Sequence, residues 1–259
     1  MSDTRPTRQL FDLDLISLER FTMLVGGVYN TGKTHLGGDM LVHEREHGPV
    51  RFINATGEDG YQTVAGMGLG QIRDDVKSYQ DCLEATAECR RLGMQAVFVD
   101  GARTIFNFIL TSLVGEERLP DAQSPTKGGD GDRARSLWAQ ARFQMEQFLI
   151  SLHTSAKIVL VSCMVQEERD ESTGQKRWTP DIYGKMGDAI PGAFDFSGLL
   201  EVKAGMRRDL SFQYRADART RQRLPYPLKE AIQLVNGPGS WAKIKAALEG
   251  GLPKREVKK

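Results

Sequence analysis

At 259 residues the chain can bury a full core as one large domain, with or without appendages. A formal net charge of +1 excludes a global electrostatic signal for nucleic acid or membrane, so any such site must be a local patch. Cys82, Cys89 and Cys163 are too few and too scattered for a disulfide framework or a four-ligand zinc site, and they predict a reduced compartment.

Residues 1–10 read as a flexible lead, polar and without the apolar core of a signal peptide. No run approaches the roughly 18 apolar residues of a membrane span. The expectation is a cytoplasmic protein with no membrane partner. Phe11–Arg20 is a short amphipathic piece, and Phe21–Val25 an apolar run of strand length. Gly27-Val28-Tyr29-Asn30-Thr31-Gly32-Lys33-Thr34 follows, then a helix predicted from Leu36 to His43. The spacing is G-x-x-x-x-G-K-T in a strand–loop–helix setting, the arrangement of a phosphate-binding P-loop. In such a loop, backbone N–H groups at the positive end of a helix dipole converge on an anion. The expected nucleotide-binding set is Gly27, Asn30, Thr31, Gly32, Lys33, Thr34 and His35. Lys33 would reach the outer phosphates of ATP, and the Thr34 hydroxyl would ligate Mg²⁺.

Val50–Ala55 is a second strand, ending in a turn that carries Glu58 and Asp59. The glycine-dotted stretch from Tyr61 to Asp75 has no clear assignment. Tyr79–Leu92 reads as a helix, with Cys82 and Cys89 on one face. Gln95–Gly101 is an apolar strand ending in Asp100, the Walker B pattern, whose carboxylate would hold Mg²⁺ directly or through water.

Ile105–Val114 reads as a helix and Gly115–Asp132 as a polar loop. Arg133–His153 is a long helix with Leu137, Ala141, Met145, Phe148 and Leu152 as its core stripe. Lys157–Cys163 is a buried strand. The polar stretch Gln166–Gly187 brings Lys176, Arg177 and Trp178 together, a minimal set of cations and one aromatic for tracking single-stranded DNA. Lys127, Arg133 and Arg135 form a second basic candidate. Leu199–Val202 and Leu210–Arg215 pair as a predicted hairpin, and Trp241–Leu248 is a last helix. His43 and His47, four apart on the P-loop helix, are read as a solvated face. The predicted fold is α/β, a mostly parallel sheet flanked by helices with a C-terminal antiparallel extension. One domain is expected over residues 11–249, with a basic flexible tail at 250–259.

GVYNTGKT after a strand, VFVDG, KIVLVSC, PDIYGKMGDAIPGAFD and RADARTRQRLP together resemble the phage-type AAA-domain ATPases with a RecA-like core, some of which are single-strand-annealing recombinases. The resemblance runs from about Phe21 to Pro227. It implies a RecA-like P-loop NTPase core, ATP hydrolysis, homo-oligomers or filaments on single-stranded DNA, and ATP sites near subunit boundaries. A phage single-strand-binding protein is an implied partner, and the host cytoplasm the implied location. By position, Glu58 matches the catalytic carboxylate, with Asp59 adjacent. Lys33 and Asp100 are further members of the catalytic set. Ser162 stands where relatives carry a polar sensor such as Gln or His, a departure that bears on coupling to DNA. Arg219 and Arg221 stand where relatives tend to carry Lys-x-Arg, and are candidates for fingers acting in trans.

Three activities are compatible with these residues. The first is a RecA-core ATPase acting on single strands. The second is a nucleotide-dependent switch or assembly protein without DNA. The third is a nucleotide kinase, against which stands the lack of a compact arginine-rich lid segment.

Overall fold

Seven consecutive buried residues, Phe21–Gly27, form strand β1 and set the middle of the sheet. The computed structural model describes residues 18–55, 60–114, 131–169, 176–182, 186–213, 218, 220–224, 226–235 and 237–252. After β1 come α1 (Lys33–Glu44), β2 (Val50–Ala55), α2 (Gly60–Gly66), β3 (Arg73–Val76), α3 (Tyr79–Leu92) and β4 (Met94–Asp100). Then follow α4 (Ala102–Val114), α5 (Gly131–His153), β5 (Ala156–Arg169), β6 (Lys176–Pro180), α6 (Met186–Ala189), β7 (Phe196–Val202) and β8 (Arg208–Ser211). Two-residue strands β9 (Arg221–Gln222) and β10 (Ile232–Gln233) and helix α7 (Ser240–Gly250) close the described chain.

The main sheet runs β10-β8-β7-β1-β5-β4-β2-β3. From β7 to β3 every neighbouring pair is parallel, while β8 and β10 extend the sheet antiparallel. This is the α/β fold of a P-loop NTPase, parallel in its centre and antiparallel toward the C-terminus, as the alternation of predicted strands and helices implied. Strands covered on both faces read as continuous apolar runs, and their side chains divide by the two-residue period. Phe21, Met23 and Val25 of β1, Phe98 of β4 and Leu160 of β5 face α1 and α7. Leu24, Val97, Val99, Val159 and Val161 face α3, α4 and α5. Two apolar layers therefore clamp the sheet.

Local chemistry fixes several ends. The Ser78 hydroxyl accepts from the Asp81 N–H to cap α3, and Gly93 ends it in the left-handed region (φ 64°). Asp195, just before β7, accepts from the Thr22 N–H (2.9 Å) and hydroxyl (3.0 Å), which ties the start of β7 to β1. The back of α1 is fastened to α7. Asp39 accepts from the N–H groups of Gly239 (2.9 Å) and Trp241 (2.7 Å), so an acidic side chain of α1 caps the N-terminus of α7. Fully buried Glu44 accepts from the Trp241 indole (2.8 Å), Lys245 (2.9 Å) and Gln95 (3.0 Å). Burial alone would raise its pKa, but these donors outweigh burial and hold it below the ordinary value.

The structure revises the sequence reading in three places. The polar stretch from Gln166 is not all loop: β5 runs on to Arg169 and pairs antiparallel with β6, with Glu168 opposite Arg177. The hairpin partner of β7 is Arg208–Ser211, earlier than the predicted Leu210–Arg215. The segment left unassigned holds α2 and the edge strand β3, which pairs with β2. The predicted loop at 115–132 lies mostly outside the described residues, although α5 begins at Gly131, before the expected Arg133. The lead at 1–10 and most of the tail at 250–259 lie outside them as well.

Candidate functional site

The P-loop leaves the C-terminal end of β1 and enters α1, at the carboxyl edge of the sheet where open α/β folds bind ligands. Asn30 (φ 60°) and Gly32 (φ 94°) take left-handed conformations that turn the chain back toward the helix. Gly32 is the N-cap of α1, with no side-chain cap bond, and the first turn holds no acidic residue. The uncapped N–H groups at the positive end of α1 are thus available to an anion. Thr31 is buried and donates to the Val28 carbonyl (3.0 Å), which braces the loop from within. Lys33 donates from Nζ to the carbonyls of Gly27 and Val28, both at 2.9 Å, and lies 3.3 Å from Met164 Sδ on β5. His35 is half-buried in the same helical turn, and Asn30 is exposed.

Two strands away, Asp100 ends β4 with 3% of its surface exposed. Its Oδ2 accepts from the Thr34 hydroxyl at 2.8 Å, and its Oδ1 from the Ser162 hydroxyl of β5. Ser162 in turn accepts from the Gly101 N–H at 3.1 Å. Burial pushes the Asp100 carboxyl above its ordinary pKa, against the opposing pull of Ser162, Thr34 and the Lys33 charge. A buried carboxylate beside a hydroxyl is a pair of hard oxygen donors, the chemistry that suits Mg²⁺. Gly60, at the start of α2, closes the cradle. A Cβ there would fall 2.2 Å from Asp100 Oδ2 and 2.7 Å from Thr34 Cγ2. Thr34 and Asp100 are therefore the residues that would hold the cation of a nucleotide–metal complex.

Sequence reasoning placed Lys33, Thr34 and Asp100 in one site, and the fold brings them together. It missed Gly60, legible only as a glycine after an acidic turn, and Arg208, whose approach to Gly32 is purely spatial. Ser162, read as a departure from the sensor pattern, orients the Asp100 carboxylate. Glu58, Asp59 and Arg219 lie outside the described residues. Arg221 sits on β9 beside Ser197 of β7 and donates to the Gly192 carbonyl of its own chain. Arg177 pairs with Asp188 at 3.1 Å, and Trp178 is half-buried against Val165, Leu199 and Ala218. Lys176 begins β6, and its side chain is not among those described.

His43 is half-exposed and His47 exposed, as the solvated-face reading expects, but Glu44 between them is fully buried. His43-Glu44-Arg45-Glu46-His47 has the H-E-x-x-H spacing of a zinc protease helix. The donor atoms of His43, Glu44 and His47 do lie within 4.8 Å of one another. Yet Glu44 is fully buried, and its oxygens are taken by Trp241, Lys245 and Gln95, so the cluster fastens α7 to α1 and offers no free carboxylate to a metal.

A family model described as an AAA domain matches residues 19–224. The chain belongs to the AAA domain family. It is thus of the AAA-type P-loop ATPase kind, and the match spans the P-loop, Asp100, Ser162 and the β7–β8 hairpin. No curated protein matches the chain. Among the described residues, no helix is long and apolar enough to cross a membrane.

Proposed function

We propose that this AAA-domain chain is a Mg²⁺-dependent ATPase that acts on single-stranded DNA in phage recombination or annealing, as a homo-oligomer in the host cytoplasm. The P-loop and the Thr34–Asp100 junction support ATP as the ligand. One observation carries the link to DNA. Strand β5 contributes Ser162, bonded to Asp100, and Met164, touching Lys33, and then continues without a break into the ribbon with β6 that carries Arg177 and Trp178. A single strand thus joins the phosphate site to the ribbon that bears Arg177 and Trp178, so a change at the γ-phosphate has a mechanical route to a DNA contact.

In this reading Lys33 compensates charge on the outer phosphates, Glu58 orients the attacking water, and Arg219 and Arg221 reach a neighbouring copy's triphosphate. Mg²⁺ held by Thr34 and Asp100 would supply charge neutralisation for the outer phosphates. A single-strand-binding protein fits as a partner that presents the same substrate.

A second reading, a nucleotide-dependent switch without DNA, draws on the placement of Trp178 and Arg177. The indole spends much of its surface on an internal cluster and the guanidinium faces Asp188. Steady-state ATP hydrolysis with Mg²⁺, measured with and without single-stranded DNA at two salt concentrations, separates the two. Stimulation by DNA that weakens at higher salt is expected, because phosphate contacts release counterions. Turnover that ignores single strands at both salts favours the switch.

A further inference from the structure

The turn between β7 and β8 carries three cations, Lys203, Arg207 and Arg208, and they do not have the same surroundings. Lys203 pairs with Glu201 at 3.1 Å and Arg207 with Asp209 at 2.7 Å, each two residues away along the chain. Arg208 points to the other face of the ladder, as the two-residue alternation requires, and has no carboxylate partner among the described residues. Its side chain instead lies across the P-loop. A Cβ placed on Gly32 would fall 3.2 Å from Arg208 Nε, 3.3 Å from Cζ and 3.4 Å from Cδ. Gly32 suits its left-handed φ, and the Arg208 side chain packs close over it. Half-buried beside the uncapped start of α1, this cation is placed for an anionic ligand.

The direction of approach says which part of the ligand it meets. Thr34, Asp100, Ser162 and Met164 gather on the β5 and β4 side of β1, where Lys33 also reaches. That side would hold the metal through Thr34 and Asp100 and, through Lys33, the outer phosphates. Arg208 arrives from the opposite side, over β7 from β8. It therefore faces the nucleoside half, where a P-loop cradles the α- and β-phosphates.

We propose that Arg208 is a binding residue supplied in cis, which holds the α-phosphate side of the nucleotide and so recognises the diphosphate and the triphosphate alike. The proposal rests on the P-loop reading and assigns a role that a finger acting on the γ-phosphate would not have.

The test is equilibrium binding of fluorescent ADP and ATP analogues to the full chain, compared across wild type, Arg208→Ala, Arg208→Lys, Arg207→Ala and Lys33→Ala. Arg208→Ala is expected to weaken both nucleotides by about tenfold or more, leaving their affinity ratio unchanged, because a charge-assisted hydrogen bond common to both is lost. Arg208→Lys is expected to restore part of the affinity, and Arg207→Ala to match wild type, which reports that the turn still folds. Loss of ATP affinity alone, or unchanged affinity for both in Arg208→Ala, overturns the proposal. Unchanged affinity in Lys33→Ala would instead overturn the P-loop reading itself, so the two failures are distinguishable.

Discussion

The Thr34 hydroxyl donates to Asp100 Oδ2 at 2.8 Å, which joins the first turn of α1 to the end of β4 although 66 positions separate them in sequence. This contact turns two separate sequence motifs into one site. Burial of the Asp100 charge costs stability, a cost that the Thr34 and Ser162 hydroxyls offset only in part.

The cost predicts how Asp100→Asn behaves. The folded-state pKa of Asp100 is raised, so protonation favours the fold below the ordinary value of 3.8, and this advantage fades as pH rises through the raised value. At neutral pH the wild type therefore carries a buried charge that the amide removes, and the neighbouring hydroxyls can turn to serve the amide. Asp100→Asn should melt at the same temperature as wild type or higher without nucleotide, with a margin that narrows toward acid pH. It should lose the added stabilisation by Mg²⁺–ATP. Thermal melts with and without Mg²⁺–ATP between neutral and acid pH check this, and a variant still stabilised by Mg²⁺–ATP as strongly as wild type contradicts it.

Gly60→Ala should injure the same site from another direction. The added methyl would press on Asp100 Oδ2 and Thr34 Cγ2, and neither is the free end of a flexible chain. Affinity for Mg²⁺–ATP is expected to fall by about tenfold or more, while affinity for metal-free nucleotide changes less. Titration of labelled ATP with and without Mg²⁺ measures the difference, and equal losses in both would place the damage elsewhere.

Helix α7 should behave as a structural strap on α1. Trp241 is fully buried, stacks on Phe21 with ring centroids 6.0 Å apart, and donates to Glu44. Trp241→Ala should cost about 3–5 kcal/mol, or roughly 10 °C of melting temperature in a chain of this size. A drop of less than about 3 °C in a thermal melt would show that α7 is dispensable to the core.

The cysteines should be silent in the folded chain. Burial pushes the thiols of Cys82 and Cys89 up to about 12, so neither carries thiolate near neutral pH. A thiol reagent at pH 8 should leave both unlabelled until denaturant is added. Rapid labelling of either in the native protein, located by peptide mass, would contradict their burial.

Much of the fold was legible because local and tertiary signals agree in it. Helix α3 has a serine cap, a glycine stop and an apolar face in one stretch, and the strands covered on both sides are unbroken apolar runs. Where only tertiary pairing decides, the sequence is silent. Gln166–Arg169 is polar and becomes strand only because β6 lies beside it. Glu44 looks like a surface residue of an amphipathic helix, yet it is buried because Trp241 and Lys245, about two hundred positions later, supply its partners. The phosphate site divides in the same way. Lys33, Thr34 and Asp100 lie in motifs whose spacing carries the chemistry, whereas Arg208 and Gly60 enter the site only through folding.

The most direct test of the account is ATP binding by Lys33→Ala. Lys33 bonds the carbonyls of Gly27 and Val28 at the mouth of the loop, and its removal leaves the two apolar layers untouched. Equilibrium titration with Mg²⁺–ATP, alongside a thermal melt of the free protein, should show affinity reduced by about tenfold or more with the melting temperature nearly unchanged. Wild-type affinity in a folded Lys33→Ala chain would mean that the nucleotide, if bound at all, does not lie in this loop.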